Sequence, residues 1–100
     1  FNKLVIYRNS IIVDCLFGIG LNRKINGIYK KIIKKVNKSK QYIISIDIPS
    51  GINGNTGEKM GEAIKANLTY ALHAKKDGHT IGMGKKYSGK VKVVDIGIKE

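Results

Sequence analysis

The sequence predicts an α/β fold, a Rossmann-like domain built on a parallel sheet, and three observations predict it. Short runs rich in Ile and Val recur along the 100 residues and are apolar at nearly every position rather than at alternate ones, as in strands covered on both faces. Between the two most apolar runs the hydrophobic period lengthens from that of a strand to that of a helix, so strand, helix and strand follow one another as in a right-handed βαβ crossover. Glycine and aspartate gather where those runs stop, at the carboxyl ends of strands where open α/β sheets bind their ligands.

Taken in order, residues 4–7 form a short strand or the stub of one, and residues 11–17 form a strand buried on both faces that stops at Gly18. Cys15 lies inside that apolar run and is expected to be a buried small hydrophobe rather than a nucleophile. As the lone cysteine it cannot form an internal disulfide, which agrees with a reducing compartment. A glycine-punctuated loop follows, residues 18–23. Residues 27–38 read as a helix: Ile28, Ile32, Ile33 and Val36 share one face, with Lys30, Lys31, Lys34, Lys35 and Lys38 mostly opposite. Asn26 suits its N-cap, and lysines suit its last turn. Residues 42–47 form the second main strand. Residues 48–61, with Pro49 and four glycines, are loop, and residues 63–67 can form a helical turn. Residues 68–72 and 91–96 supply two further strands, separated by a glycine-rich basic stretch, residues 75–90. Three or four strands thus share essentially one long helix, which leaves one sheet face with little cover. The expectation is that part of the domain precedes Phe1 and is missing from this chain.

Size and composition narrow the class. One hundred residues fit a single domain. The longest apolar runs, such as Ile11-Ile12-Val13, are far too short to span a bilayer, and the first residues lack the ordered parts of a signal peptide, so a cytoplasmic protein without a membrane partner is expected. Lys and Arg total 19 against 7 Asp and Glu, a net charge of +12, which favours anionic partners. Only Arg8 and Arg23 are arginines, however, and forked recognition of phosphates or bases leans on arginine. With no aromatic stacking motif, helix-turn-helix signal or zinc-ligand pattern, a nucleic-acid module rests on charge alone and is disfavoured.

The chemistry-bearing residues cluster at strand ends. Asp14 is surrounded by Ile11, Ile12, Val13, Leu16 and Phe17, where an uncompensated carboxylate costs several kcal/mol. Its partner is a cation or metal on one reading, and the amides of a neighbouring loop on the other. Asp47 closes the second strand ahead of Ile48-Pro49-Ser50-Gly51, and Pro49 turns the chain out of the sheet. That sets the Asp47 carboxylate and the Ser50 hydroxyl on a constrained loop, although an aspartate that merely caps a turn explains the residues slightly better. Gly18-Ile19-Gly20, with Arg23 and Lys24, suits a generic anion loop, but Arg23 stands where a dinucleotide fingerprint needs its third glycine. His73 and His79 have no partners at ligand spacing and are expected on the surface or in packing rather than on a metal.

Several motifs then fall into register with one family. Val13-Asp14-Cys15-Leu16-Phe17-Gly18-Ile19-Gly20-Leu21 resembles the Val-Asp-Ala-Leu-Phe-Gly-Thr-Gly-Leu element of NAD(P)H-hydrate epimerases, the YjeF N-terminal domain family. Ser45-Ile46-Asp47-Ile48-Pro49-Ser50-Gly51-Ile52-Asn53 is similar to the family's Ser-Ile-Asp-Ile-Pro-Ser-Gly-Leu-Asp, and Asn55-Thr56-Gly57 continues it. Ala66-Asn67-Leu68-Thr69, the Lys76-x-Gly78 pair and Val94-Asp95-Ile96-Gly97-Ile98 follow in order. Asp-Ile-Pro-Ser-Gly after Asp-x-Leu-Phe-Gly-x-Gly is far more specific than either piece alone.

The resemblance implies an isomerase that interconverts the R and S epimers of hydrated NADH and NADPH (NADHX and NADPHX), with a fused or separate ADP- or ATP-dependent dehydratase restoring the cofactor from one epimer. It implies a three-layer αβα domain of which this chain is the C-terminal portion, the missing N-terminal half and a second copy of the protein counting among its partners. It implies that Asp14 and Ser50 are ligands of a potassium ion. It also implies that Gly18, Ile19, Gly20, Leu21, Asn22, Arg23 and Lys24 hold the substrate, and that Asp47 contacts it near the reacting ring. The ring hydroxyl sits on a carbon bonded to nitrogen, so it can leave as water and return on the other face, with Asp47 as the acid and then the base. Two departures stand out: Ile19 replaces the usual threonine, and the family's upstream Gly-Asn-Asn-Gly-Gly-Asp-Gly element is absent, so this chain alone is not expected to catalyse. Related domains also serve as non-catalytic scaffolds in RNA-processing assemblies, but the retention of Asp14, Asp47 and Ser50 argues against a degenerate copy.

Overall fold

Register follows from the apolar pattern. Ile12 pairs with Ile43 and Asp14 with Ser45 in the first strand pair, so these four side chains leave the sheet on one face. The computed structural model describes residues 8–15, 27–95 and 97. Its elements are β1 (Ile11–Asp14), α1 (Gly27–Lys38), β2 (Tyr42–Ile46), β3 (Leu68–Leu72), a 3₁₀ turn at Asp77–His79, α2 (Gly82–Ser88) and β4 (Lys90–Val94). The four strands form one sheet in chain order, β1-β2-β3-β4, and every pairing is parallel. The predicted α/β class and its parallel sheet are therefore present. The predicted stub at residues 4–7 lies outside the described residues.

Helix α1 covers the face that carries Ile12 and Ile43. Ile32, Ile33 and Val36 are buried on it and pack with Ile43, Ile64, Ala66 and Ile12, each such aliphatic chain contributing roughly 1.5–3 kcal/mol when fully buried. Ile28, expected on the same stripe, is 39% exposed, because it sits a full turn ahead of the first residue that reaches the core. The lysines of the opposite face are exposed, and Lys35 and Lys38 occupy the last turn, where cations meet the negative end of the helix dipole. The helix ends at Ser39, whose amide and hydroxyl both donate to the Val36 carbonyl.

The two later connections differ from the expectation. Residues 63–67 form no helical turn. The Asn37 side chain of α1 instead donates to the Ala63 carbonyl at 2.8 Å and accepts from the Lys65 amide at 2.9 Å, holding that segment extended so that Ile64 and Ala66 reach the core. Between β3 and β4, the stretch expected only to be glycine-rich and basic contains the 3₁₀ turn and α2. They seat against the 48–61 loop: the Gly78 amide donates to Gly54 and the Gly84 amide to Gly57, each at 2.8 Å. A Cβ at Gly78 would lie 2.5 Å from the Asn53 carbonyl oxygen, so this close approach requires glycine. At the end of α2 the Ser88 hydroxyl is fully buried and has no hydrogen-bond partner among the described residues.

The expectation that β1 is buried on both faces is overturned. Ile11 and Val13 are 65% and 56% exposed, and their neighbour Tyr42 is exposed too. Cys15 continues this odd-numbered, outward row and is exposed, not buried, because alternation along the strand carries it away from α1. At the other end of the sheet formed by the described residues, β4 presents exposed Lys90 and Lys92, charges of the kind that guard strand margins.

Candidate functional site

A parallel sheet in chain order places all strand carboxyl ends on one rim, and there the acids meet. Because Asp14 is in register with Ser45, the Ser45 hydroxyl donates to its carboxylate at 2.7 Å. β2 then leaves the sheet, and the Ile48-Pro49-Ser50 turn folds back over Asp14: the Ser50 amide donates to one carboxylate oxygen at 2.8 Å and the Ser50 hydroxyl to the other at 2.5 Å. Asp14, Ser45 and Ser50 are 3%, 0% and 2% exposed. Asp14 is thus met by two hydroxyls and one loop amide, which is compatible with either reading its sequence context left open, and Asp14 and Ser50 are adjacent. The turn depends on Gly51, which has φ of 96° and on which any Cβ would overlap the Glu62 carbonyl.

Asp47 is also nearly buried, and its φ of 72° is left-handed, a region most non-glycine residues avoid but Asp and Asn tolerate. Three groups hold it there. Its amide donates to the Tyr70 carbonyl at 2.8 Å. Both carboxylate oxygens take hydrogen bonds from Lys76 Nζ, an ion pair in which the lysine side chain is 27% exposed. Its carbonyl meets His79 Nε2. The other ring nitrogen, Nδ1, accepts from the Lys76 amide at 2.8 Å, so the network assigns the ring proton to Nε2. His79 is therefore a packing residue, as expected, and is buried, whereas His73 is exposed. Sequence reasoning gave Lys76 no role. Its one signal was the Lys76-x-Gly78 spacing: Gly78 allows the close approach that brings the ammonium to Asp47.

The donor set around Asp14 and Ser50 consists of oxygens, which suit a hard cation. Among the described residues no three His, Cys, Asp or Glu side chains gather as a metal cluster. The expected substrate loop, Gly18, Ile19, Gly20, Leu21, Asn22, Arg23 and Lys24, lies outside the described residues. A cavity of about 440 Å³ lined by Asn37, Lys40, Gln41, Lys65, Asn67 and Tyr87 lies at the amino ends of β2 and β3, away from the acids. Its Asn37 and Asn67 amides are engaged with the Ala63 carbonyl and the Ile43 amide. No described helix is long and apolar enough to cross a membrane.

Comparison with known proteins points to the same family. The family described as YjeF-related protein N-terminus matches residues 1–78. An NAD(P)H-hydrate epimerase of Lentilactobacillus buchneri is 47% identical over 98% of this chain and 43% of its own length. One of Limosilactobacillus fermentum is 42% identical over 86% of this chain and 41% of its own. A bifunctional NAD(P)H-hydrate repair enzyme of Coxiella burnetii is 36% identical over the whole chain and 20% of its own length. The chain spans about two-fifths of the length of the epimerases it matches.

Proposed function

The chain belongs to the YjeF-related N-terminal family, and on that premise we propose that it is the C-terminal part of an NAD(P)H-hydrate epimerase domain acting on NADHX and NADPHX in the cytoplasm. The single observation that carries this reading is the pair of buried acids on one rim: Asp14 and Ser50 in direct contact beneath the turn after β2, and Asp47 one strand end away. The names of the similar proteins support the substrate class, and the repair enzymes described as bifunctional support a dehydratase partner, fused or separate. The portion of the domain that precedes this chain in the family completes the site, and a second copy of the protein is a further partner to be counted by sedimentation.

A potassium ion fits the oxygen donors. The Asp14 carboxylate and the Ser50 hydroxyl would hold it, since a hydroxyl that donates to a carboxylate still has lone pairs for a cation. Bound there, it would supply fixed positive charge beside the substrate. The chain's own residues do the rest. The electron pair of the ring carbon–oxygen bond leaves with the hydroxyl, which takes one proton from the Asp47–Lys76 pair and departs as water. The lone pair of the ring nitrogen becomes the second bond of a C=N⁺ cation. Water then adds to the opposite face and returns one proton to the pair. One water leaves, one enters, and the centre is inverted.

The experiment is an assay of the full-length protein on a single epimer of NADHX, followed by NMR or by a dehydratase that consumes the other epimer. Expected are re-equilibration of the epimers, faster in potassium than in sodium, and loss of activity in Asp47→Asn with the fold intact. A folded wild-type protein that leaves the single epimer unchanged, or an Asp47→Asn variant as active as wild type, would falsify the assignment.

A further inference from the structure

Asp47 does not stand alone on the rim, and the two side chains that hold it come from one short segment. The 76–79 turn is closed on itself: the Lys76 amide donates to His79 Nδ1 and the His79 amide to the Lys76 carbonyl. It is pinned to the rest of the molecule through the Gly78 amide on Gly54 and His79 Nε2 on the Asp47 carbonyl. From this frame Lys76 reaches across 29 residues of chain to both oxygens of Asp47.

We propose that Lys76 is a positioning residue of the epimerisation, which aims the Asp47 carboxylate and exchanges protons with it, and that His79 fixes the turn from which Lys76 does so. The inference rests on the epimerase reading, with Asp47 at the reacting ring. Three features favour it over a merely structural ion pair. The lysine side chain is 27% exposed while that of Asp47 is 9% exposed, so the ammonium meets solvent, from which a proton passed on through the carboxylate can be replaced. Among the described residues the hydrogen-bond partners of Lys76 Nζ are the two Asp47 oxygens, so the proton-bearing group and the carboxylate work as one unit. The left-handed backbone of Asp47 is held through its amide and carbonyl as well as its side chain, as expected where the direction of a carboxylate matters.

The test compares full-length wild type with Lys76→Met, Lys76→Gln, Lys76→Arg and His79→Gln in the single-epimer assay, with melting temperature read alongside. Expected for Lys76→Met is a fall in kcat of at least ~100-fold, in the range of lost acid–base assistance, with KM changed less than about threefold, as when an interaction made only in the transition state is removed. Methylammonium should raise kcat of the methionine variant in proportion to its concentration, because it restores an ammonium that can give and take a proton. Lys76→Arg restores the charge that aims the carboxylate but not the exchangeable proton, and should recover no more than about tenfold of the lost kcat. His79→Gln should fall between. If Lys76→Met does not fold, Lys76→Gln decides on the same two constants. Folded variants that keep kcat within about threefold of wild type, or that change KM alone, overturn the proposal. An inactive wild type would instead sink the epimerase reading and is told apart by that control.

Discussion

Asp14 and Asp47 are both nearly buried, lie at the ends of neighbouring strands and are held by different means. The described donors to Asp14 sit on β2 and on the turn directly after it, so they are brought to it by the pairing of β1 with β2 and the turn that follows. Asp47 takes its ammonium from beyond β3, on a separate turn, and from a lysine that still touches solvent. The difference teaches how two carboxylates on one rim can divide their roles. One is locked by short-range hydroxyls and an amide, as a fixed part of the frame. The other is held by a proton-rich group that can turn toward a ligand.

The comparison can be broken or sharpened by substitution. Asp14→Ala takes the acceptor from two hydroxyls and one amide and should cost about 3 kcal/mol, near 1 kcal/mol for each stranded donor. Asp47→Asn should cost less than about 1 kcal/mol, because Lys76 can turn to water and asparagine tolerates the same backbone. Urea unfolding of both variants reads the contrast, and equal losses would erase it. Gly78→Ala should follow, at roughly 1–3 kcal/mol for the overlap with Asn53, and it should lower epimerisation as well, because it displaces the turn behind Asp47. Next comes Ser45→Ala, about 1 kcal/mol. Combined with Asp14→Ala its effect should fall short of additivity by at least ~0.5 kcal/mol, since the two share one hydrogen bond. Smallest is Ser88→Ala, which removes a buried hydroxyl without a partner among the described residues and should raise stability by up to about 1 kcal/mol in the same denaturation series.

Much of this arrangement is legible along the chain, for local reasons. The period of Ile32, Ile33 and Val36 gives α1 to the residue, and the apolar runs give β2, β3 and β4 within a residue or two of their ends. Asp14, Asp47 and Ser50 announce themselves because acids and a hydroxyl stand where apolar runs stop. What escaped detection depends on contacts distant in sequence. α2 carries two glycines, which weaken a helix by about 1 kcal/mol each relative to alanine, and it exists because Gly84 can approach Gly57. Residues 63–67 have helical composition but are drawn out straight by Asn37. Lys76 meets Asp47 across 29 residues and His79 meets it across 32, separations that no local pattern encodes. Cys15 and the outer row of β1 were misjudged because an unbroken apolar run cannot reveal which of its faces is left open.

The lysines of β4 have a consequence for behaviour in concentrated solution. A strand from another molecule that tried to extend the sheet past Lys90 and Lys92 would have to bring its own Lys90 and Lys92 alongside them if it docked as a parallel copy. That stacks ammonium groups at the spacing of adjacent strands, roughly 4.8 Å, where like charges repel. Fibril-like growth from this margin is thereby discouraged at neutral pH and becomes easier in strong salt, which screens the repulsion.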